Sequence, residues 1–370
     1  MLSAADRELG RFIGRIIAGE DLSREESYHA FCLFLGDEVA PMQQGGFLAA
    51  LTAKGETVAE LAGGWQAICD LATRQVDLGD LALIDNCGTG MDSFKTFNIS
   101  TAAALVGAAG GLRVARHGAR AITSALGTVD LVERLGVDVD CPVEVVAASI
   151  REAGIGLFNG MSPEVHPGAL GRILGQLSFG SPLNIVASLA HPARPQTALR
   201  GVYSRDMVRP IAEVMAAIGY RRALVVHGRI DGSPLGMDEA SVCGVTSCAE
   251  LRDGLITEFF LHPEECGLAR HLARPLAADP SAEEAVHRIY RLLAGQGEAA
   301  RADAVSLNAG LLFYLAGRAA TIAAGVVMAA RLLGEGQALA VLRRWVSSQN
   351  RKPQQGLAIL EQLARQEGKQ

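Results

Sequence analysis

The first seventy-five residues place apolar side chains at helical spacing, in Leu9, Phe12, Ile13 and Ile16 and again in Phe31, Phe34 and Leu35. That period predicts helices that bury one face. The run Asp21-Leu22-Ser23-Arg24-Glu25-Glu26 supplies hydroxyl and acidic residues where a helix can start. Met42 to Leu51 leads through Lys54-Gly55-Glu56-Thr57 into a further helix carrying Val58, Leu61, Trp65 and Ile68. Gly45, Gly46, Ala49 and Ala50 permit close helix packing, within the chain or between subunits.

From about residue 76 short apolar runs alternate with helical patterns, which points to an α/β sheet core. The expected strands are Ala82 to Asp85, Arg113 to Ala115, Ile155 to Phe158, Ala223 to His227 and Ile256 to Phe260, with Ile185 to Ser188 as a weaker case. Expected helices are Ala102 to Gly110, Thr128 to Leu135, Val143 to Ala153, Met207 to Ile218, Ala282 to Leu293 and the stretch Ala304 to Leu333. Gly, Pro and polar residues between Met161 and Pro182 read as a hinge-like crossing. The expectation is thus a small all-helical domain over 1–75, joined in space by about 164–182, and a larger α/β domain over 76–370 with a central sheet flanked by helices.

Composition narrows the class. The chain has 370 residues, 49% of them hydrophobic and 20% charged, enough to bury a sizeable core. A net charge of −6 argues against a broadly basic nucleic-acid surface. The seven cysteines form no Cys-x-x-Cys pair, and an odd count fits free thiols in a reducing compartment. The early charges Asp6, Arg7 and Glu8 do not resemble a signal peptide, and no later apolar run reads as a membrane span. A cytoplasmic protein is expected.

Candidate chemistry centres on the stretch from Asp85 to Thr101, which reads as strand, glycine loop and helix start. Glycines let the backbone turn sharply and approach a ligand, and the free amides of a helix start favour negative charge. A lone Gly-x-Gly is most often an ordinary tight turn. The added hydroxyls of Thr96, Ser100 and Thr101 shift the expectation toward phosphate.

Separated motifs then line up in one order. They are Gln44 to Leu51 with Lys54 to Thr57, Gly88-Thr89-Gly90-Met91-Asp92, Phe97-Asn98-Ile99-Ser100-Thr101, Val114 to Arg120, Leu183 to Val186, Gly201 to Ser204 and Gly236 to Ser241. In this order they resemble the anthranilate phosphoribosyltransferase family, which shares its fold with pyrimidine nucleoside phosphorylases. The resemblance implies a ligand cleft between a helical and an α/β domain, and a homodimer formed largely through the helical domain. It also implies Mg²⁺-dependent transfer of a phosphoribosyl group from 5-phosphoribosyl 1-pyrophosphate to a nitrogen of a small acceptor. Pyrophosphate leaves as a polyanion while the ribose carbon becomes oxocarbenium-like, so the site must hold phosphates and position the nucleophile.

Carried onto this sequence, the resemblance assigns the phosphoribosyl donor to Gly88, Thr89, Gly90, Asp92, Thr96, Asn98, Ser100, Thr101 and Arg116. It assigns Mg²⁺ to Ser100, Asp238 and Glu239, hard oxygen ligands that suit this ion. Outside such a motif, an Asp-Glu pair in a loop is usually a solvated surface pair. Arg116 stands where the family places a lysine, exchanging a compact ammonium for a planar fork. His117 could serve as a general base, but a hydrogen-bonding structural role is the better expectation, and no catalytic residue is assigned.

The departures concern the acceptor, whose pocket the resemblance places at Met91, His117, Ala119, Arg172 and Leu174. Met91 replaces a glycine, and Ala119 replaces an asparagine. Thr123-Ser124-Ala125-Leu126-Gly127-Thr128 replaces a polar stretch that carries a lysine. Leu174 and Gly180 stand where anthranilate enzymes carry arginines, unless Arg172 shifts into that role. A buried carboxylate without a cationic partner costs several kcal/mol. The expected acceptor is therefore anthranilate-like in size but not anthranilate. Two other readings stay open: a nucleoside phosphorylase, disfavoured by the retained Asp238-Glu239 pair, and a non-catalytic nucleic-acid binder, disfavoured by the acidic charge.

Overall fold

A computed structural model describes residues 2–36, 38–120 and 126–367. The helical start follows from its caps. Ser3, Ser23 and Thr57 each accept from the backbone three residues on and close a capping box with Asp6, Glu26 and Glu60. These caps open α1 (Ala4–Ile17), α2 (Arg24–Leu35) and α4 (Val58–Leu71), while α3 (Pro41–Lys54) opens on a proline in its first turn.

The α/β part follows as β1 (Leu83–Gly88), α5 (Ile99–Ala109), β2 (Arg113–Gly118), α6 (Thr128–Arg134), α7 (Val143–Glu152) and β3 (Ile155–Asn159). After it come α8 (Ala169–Leu174), α9 (Pro182–Leu189), β4 (Thr197–Gly201), α10 (Val208–Ala217) and β5 (Arg222–Arg229). The two-residue β6 (Gly236–Met237) precedes a hairpin of β7 (Thr246–Arg252) and β8 (Leu255–Leu261). The chain closes with α11 (Ala282–Leu293), α12 (Ala299–Leu315), α13 (Ile322–Gly334), α14 (Gln337–Ser348) and α15 (Pro353–Glu367).

Among the described residues the strands form one mixed sheet in the order β3-β2-β1-β4-β5-β7-β8, with β6 added to β5. The strands from β3 to β5 run parallel, and β6, β7 and β8 are antiparallel. One apolar core lies between the sheet and α5 with α11 to α15, including Trp345 and Phe313. A second core is continuous from α1 to α4 through α8, α9 and α10 to the other sheet face, where Ala198, Val225 and Leu251 point. Trp65 on α4 donates its indole N–H to Leu189 O at 2.9 Å, adding a polar tie across that core. No single described helix is long and apolar enough to cross a membrane.

Several sequence expectations need correction. Ile185 to Ser188 is helical, because Pro182 sits in a first turn whose Ser181 N–H is taken by Asn184 Oδ1 at 3.0 Å. A four-residue apolar run has no period of its own to oppose this. Ala304 to Leu333 is two helices rather than one stretch, broken between Leu315 and Ile322 and restarted by Thr321 as N-cap. The strands β4 and β7 carry polar residues inside their runs, Arg200 in one and Glu250 in the other, and for that reason do not read as apolar strands.

Candidate active site

The site forms where parallel strands end and helices begin. A cavity of about 670 Å³ opens between the C-terminal ends of β1 and β2, the 89–98 loop and the segment from Leu174 to Ser188. This is the crevice that an open α/β sheet offers to ligands.

At one end the loop after β1 is locked to the chain around Asp238. Gly90 has φ +71°, and its N–H donates to Asp238 Oδ2 at 2.7 Å. A Cβ on Gly88 would lie 2.2 Å from that oxygen, so only glycine leaves room for the carboxylate. Ser93 and Phe94 bond to Gly236, and Ser100 N–H donates to Glu239 Oε1 at 3.2 Å. The start of α5 is therefore no open anion nest at this amide: a carboxylate already occupies it.

Asp92 accepts from Lys95 Nζ at 3.0 Å, and the same ammonium donates to Gly90 O at 2.8 Å. Burial, then the neighbouring Asp238, pushes the Asp92 carboxyl up to about 6 despite Lys95. Burial and Asp238 push Glu239 well above the usual carboxylate range, opposed by Arg116. Two carboxylates thus resist ionisation because they are buried beside another carboxylate, and their hard oxygens suit a divalent cation. No group of three or more His, Cys, Asp or Glu side chains among the described residues is arranged to hold a metal ion alone. An ion held by these carboxylates would need further oxygens to complete its shell.

Arg116 lines the cavity, and its fork is bonded within the chain. Its Nη1 donates to Thr101 Oγ1 at 2.7 Å, its Nη2 to Ser100 Oγ at 3.0 Å, and Nε and Nη2 both reach Asn86 O at 3.3 Å. It ties β1 to α5 beneath the cavity. Burial presses its pKa down, while Cys87, Asp85 and Glu239 hold it up. Thr101 is fully buried under this contact and does not line the cavity, and Glu239 is likewise set back from it. Ser100 lines the cavity, but its hydroxyl already faces a guanidinium. Gly88, Thr89, Gly90, Asp92, Thr96, Asn98 and Asp238 line the same end.

The other end is apolar. Met91, Ala119, Leu126, Leu174, Leu177 and Phe179 line it, with Asn184 and Ser188 as polar points. Arg172 lies outside the lining, on α8 and turned to Gln44 Oε1 at 3.5 Å, so it does not take up the missing arginine's place. Arg120 lines the cavity but is held by Glu133 and Asp130. Thr123, Ser124 and Ala125 lie outside the described residues.

His117 lines the cavity with both nitrogens engaged, Nδ1 at 3.2 Å from Ser188 O and Nε2 at 3.1 Å from His166 Nε2. His166 in turn meets Ala72 O at 2.7 Å. Burial, then His166 and His191, drives the His117 pKa well down. A structural, loop-tying role matches these bonds. Sequence reasoning missed Lys95, although a cation inside the glycine loop was the available signal. It also missed the lining formed by Leu177, Ser178 and Phe179, which had none.

Comparison with known proteins now adds to this geometry. Residues 11–72 match the helical bundle domain of a glycosyl transferase family, and residues 80–339 match its α/β domain. The anthranilate phosphoribosyltransferase of Desulfotalea psychrophila is 37% identical over 340 residues, covering 90% of this chain and 95% of its own length. That of Alkalilimnicola ehrlichii is 38% identical over 334 residues, covering 90% and 96%. The crystal structure of the Thermus thermophilus enzyme superposes with a TM-score of 0.82 at 35% identity, covering 91% of this chain and 98% of that one. The Saccharomyces cerevisiae enzyme, in complex with PRPP and Mg, shares the fold at a TM-score of 0.81 and 23% identity, covering 94% and 99%. The chain belongs to this glycosyl transferase family, alongside the anthranilate phosphoribosyltransferases, and is a phosphoribosyltransferase.

Proposed function

We propose that the protein transfers the phosphoribosyl group of 5-phosphoribosyl 1-pyrophosphate, with Mg²⁺, to a nitrogen of a small aromatic acceptor other than anthranilate. The observation that carries the acceptor half is Leu174, an apolar side chain in the cavity wall where the family resemblance calls for an arginine, with Arg172 turned away. The three cations in the lining, Lys95, Arg116 and Arg120, all have partners within the chain. An acceptor carboxylate at the apolar end would stay poorly compensated.

In this reading the hydroxyls of Thr89 and Thr96 and the side chain of Asn98 hold the donor phosphates, with the Thr89 hydroxyl buried and without a partner among the described residues. Asp238 and Glu239 would hold Mg²⁺, which when bound neutralises the departing pyrophosphate. Arg116 keeps Ser100 and Asn86 in register beneath the donor. The apolar end fixes the acceptor ring and excludes water, so its nitrogen meets the anomeric carbon rather than a hydroxide. The C1–O bond to pyrophosphate breaks as the N–C1 bond forms, and the proton of the nitrogen passes to the released pyrophosphate.

We also propose the domain division at about residue 75, with 164–182 joining the helical part, and a cytoplasmic homodimer.

Calorimetric titration with phosphoribosyl pyrophosphate tests the donor half, with and without Mg²⁺, on the wild type and on Asp238→Ala/Glu239→Ala. Saturable binding that needs both metal and carboxylates is expected. Binding indifferent to both would overturn the reading. A panel of neutral and carboxylated aromatic amines then tests the acceptor.

A further inference from the structure

Helix α12 is buried along most of its length, and its polar residues Arg301 and Asn308 reach the two halves of the site from behind. Seven residues apart, they stand two turns along one helix face.

Asn308 is fully buried. Its Oδ1 accepts from Ala240 N–H at 3.0 Å, and its Nδ2 donates to Ala240 O at 3.0 Å and to Ala304 O at 2.9 Å. The amide thus grips both backbone groups of the residue beside Glu239. Arg301 is 3% exposed and lies 4.5 Å from the Phe97 ring centroid. It donates to Pro275 O at 2.9 Å and Ala277 O at 3.3 Å, and to both oxygens of Asp279 at 2.7 and 3.0 Å. The segment it holds is itself bonded to the glycine loop, through Phe97 N–H to Leu276 O at 3.0 Å and Ala278 N–H to Lys95 O at 2.9 Å.

We propose that Asn308 and Arg301 are positioning residues that set the spacing between the Asp238-Glu239 carboxylates and the donor loop. The inference rests on the phosphoribosyl pyrophosphate and Mg²⁺ reading above. Buried amide and guanidinium groups are costly unless fully bonded, and apolar residues would pack α12 as well. Here Asn308 bonds mainly to Ala240, beside Glu239, and Arg301 bonds to the 275–279 segment that itself bonds the donor loop, rather than to their own helix. Fixed spacing matters because Mg²⁺ demands near-ideal octahedral geometry, with oxygens at about 2.0–2.1 Å.

The test measures Mg²⁺-dependent binding of phosphoribosyl pyrophosphate by calorimetry on wild type, Asn308→Leu, Asn308→Asp and Arg301→Lys. Amide exchange of the ligand-free proteins is followed in parallel. Asn308→Leu is expected to raise the Mg²⁺ concentration for half-maximal donor binding at least tenfold and to speed exchange at Ala240. Arg301→Lys is expected to weaken donor binding about tenfold while leaving the Mg²⁺ midpoint in place. A natively folded Asn308→Leu protein with the wild-type midpoint overturns the proposal. Should Asn308→Leu not fold, Asn308→Asp, which keeps the bond from Ala240 N–H, must shift the midpoint the same way. Fast exchange at Ala240 in the wild type overturns the proposal without any variant. A wild type that binds no donor defeats the reading of the site instead, and Ala240 exchange still tests the brace.

Discussion

The Met91 sulfur lies against Gly180, so that a Cβ on Gly180 would come within 2.9 Å of it. Met91 belongs to the donor loop and Gly180 to the segment that walls the acceptor end, so this contact joins the two halves of the cavity. Gly180 also stands at one of the two positions where the family resemblance calls for arginine. An arginine at 180 would therefore meet Met91 first. We expect Gly180→Arg alone to impair donor binding, and Met91→Gly to relieve it, as calorimetric titration of the single and double variants would show.

Acceptor choice should follow from the same wall. Introducing Leu174→Arg on the Met91→Gly background supplies a cation to the apolar end. A charge-assisted hydrogen bond is worth about 1.5–3 kcal/mol, or roughly tenfold to a hundredfold in affinity. Steady-state kinetics with anthranilate should show kcat/KM rising by that factor. An unchanged value would mean that anthranilate is held elsewhere.

Gly88 and Gly90 separate space from backbone conformation. Gly88→Ala drives a methyl into the Asp238 carboxylate, whereas Gly90→Ala meets open space but keeps a positive φ. We expect Gly88→Ala to cost about 1–3 kcal/mol and most Mg²⁺-dependent donor binding. Gly90→Ala should cost about 1 kcal/mol with binding largely kept. Chemical denaturation and calorimetry on both variants check the contrast.

Arg116 offers a stability test. Arg116→Lys keeps one charge but cannot span Asn86 O, Ser100 Oγ and Thr101 Oγ1 together, leaving buried acceptors unmet. A loss of about 2–4 kcal/mol in unfolding free energy is expected from urea titration. A loss below about 0.5 kcal/mol would show that the fork does not brace β1 against α5.

The histidine cluster should make stability pH-dependent. His191 donates from Nε2 to Ala115 O and accepts the Ala193 N–H on Nδ1, so it is neutral when folded, and burial pushes its pKa down to about 4. Its folded value lies below its unfolded value, so its contribution is present above about pH 6.5 and fades as pH falls toward 4. Asp85 acts oppositely: burial raises it to about 6 despite Arg200, so its contribution fades as pH rises through 6. Urea titrations of wild type and His191→Gln at pH 7.5 and 5 isolate the first. The wild type should lose about 1–3 kcal/mol more than the variant across that interval.

The sequence made legible what rests on period and motif. The helical start and the mixed class followed from runs readable in one dimension, whereas the nearness of the Gly88 loop and Asp238 was implied only by the family resemblance. Arg116 lines the cavity as expected, but its bonds to Asn86 O and Thr101 were not legible, because they are set by how β2 lies beside β1. Arg172 was undecided for a similar reason: which way α8 turns depends on its packing against the helical core, not on its own residues. Asn308 carried no motif at all, since a lone amide in an apolar helix gains meaning only from the backbone it reaches.

The core that runs unbroken from α1 to the sheet has a consequence for how such a protein can change. The part of the acceptor wall carrying Leu174 and Leu177 is rooted in that core, whereas the donor loop is pinned from the opposite side of the sheet by α12. Substitutions at Leu174 or Gly180 can accumulate without disturbing the pyrophosphate end, apart from the bridge through Met91. A lineage could thus exchange the incoming nucleophile while inheriting the leaving-group machinery, with position 91 as a place where the two ends meet.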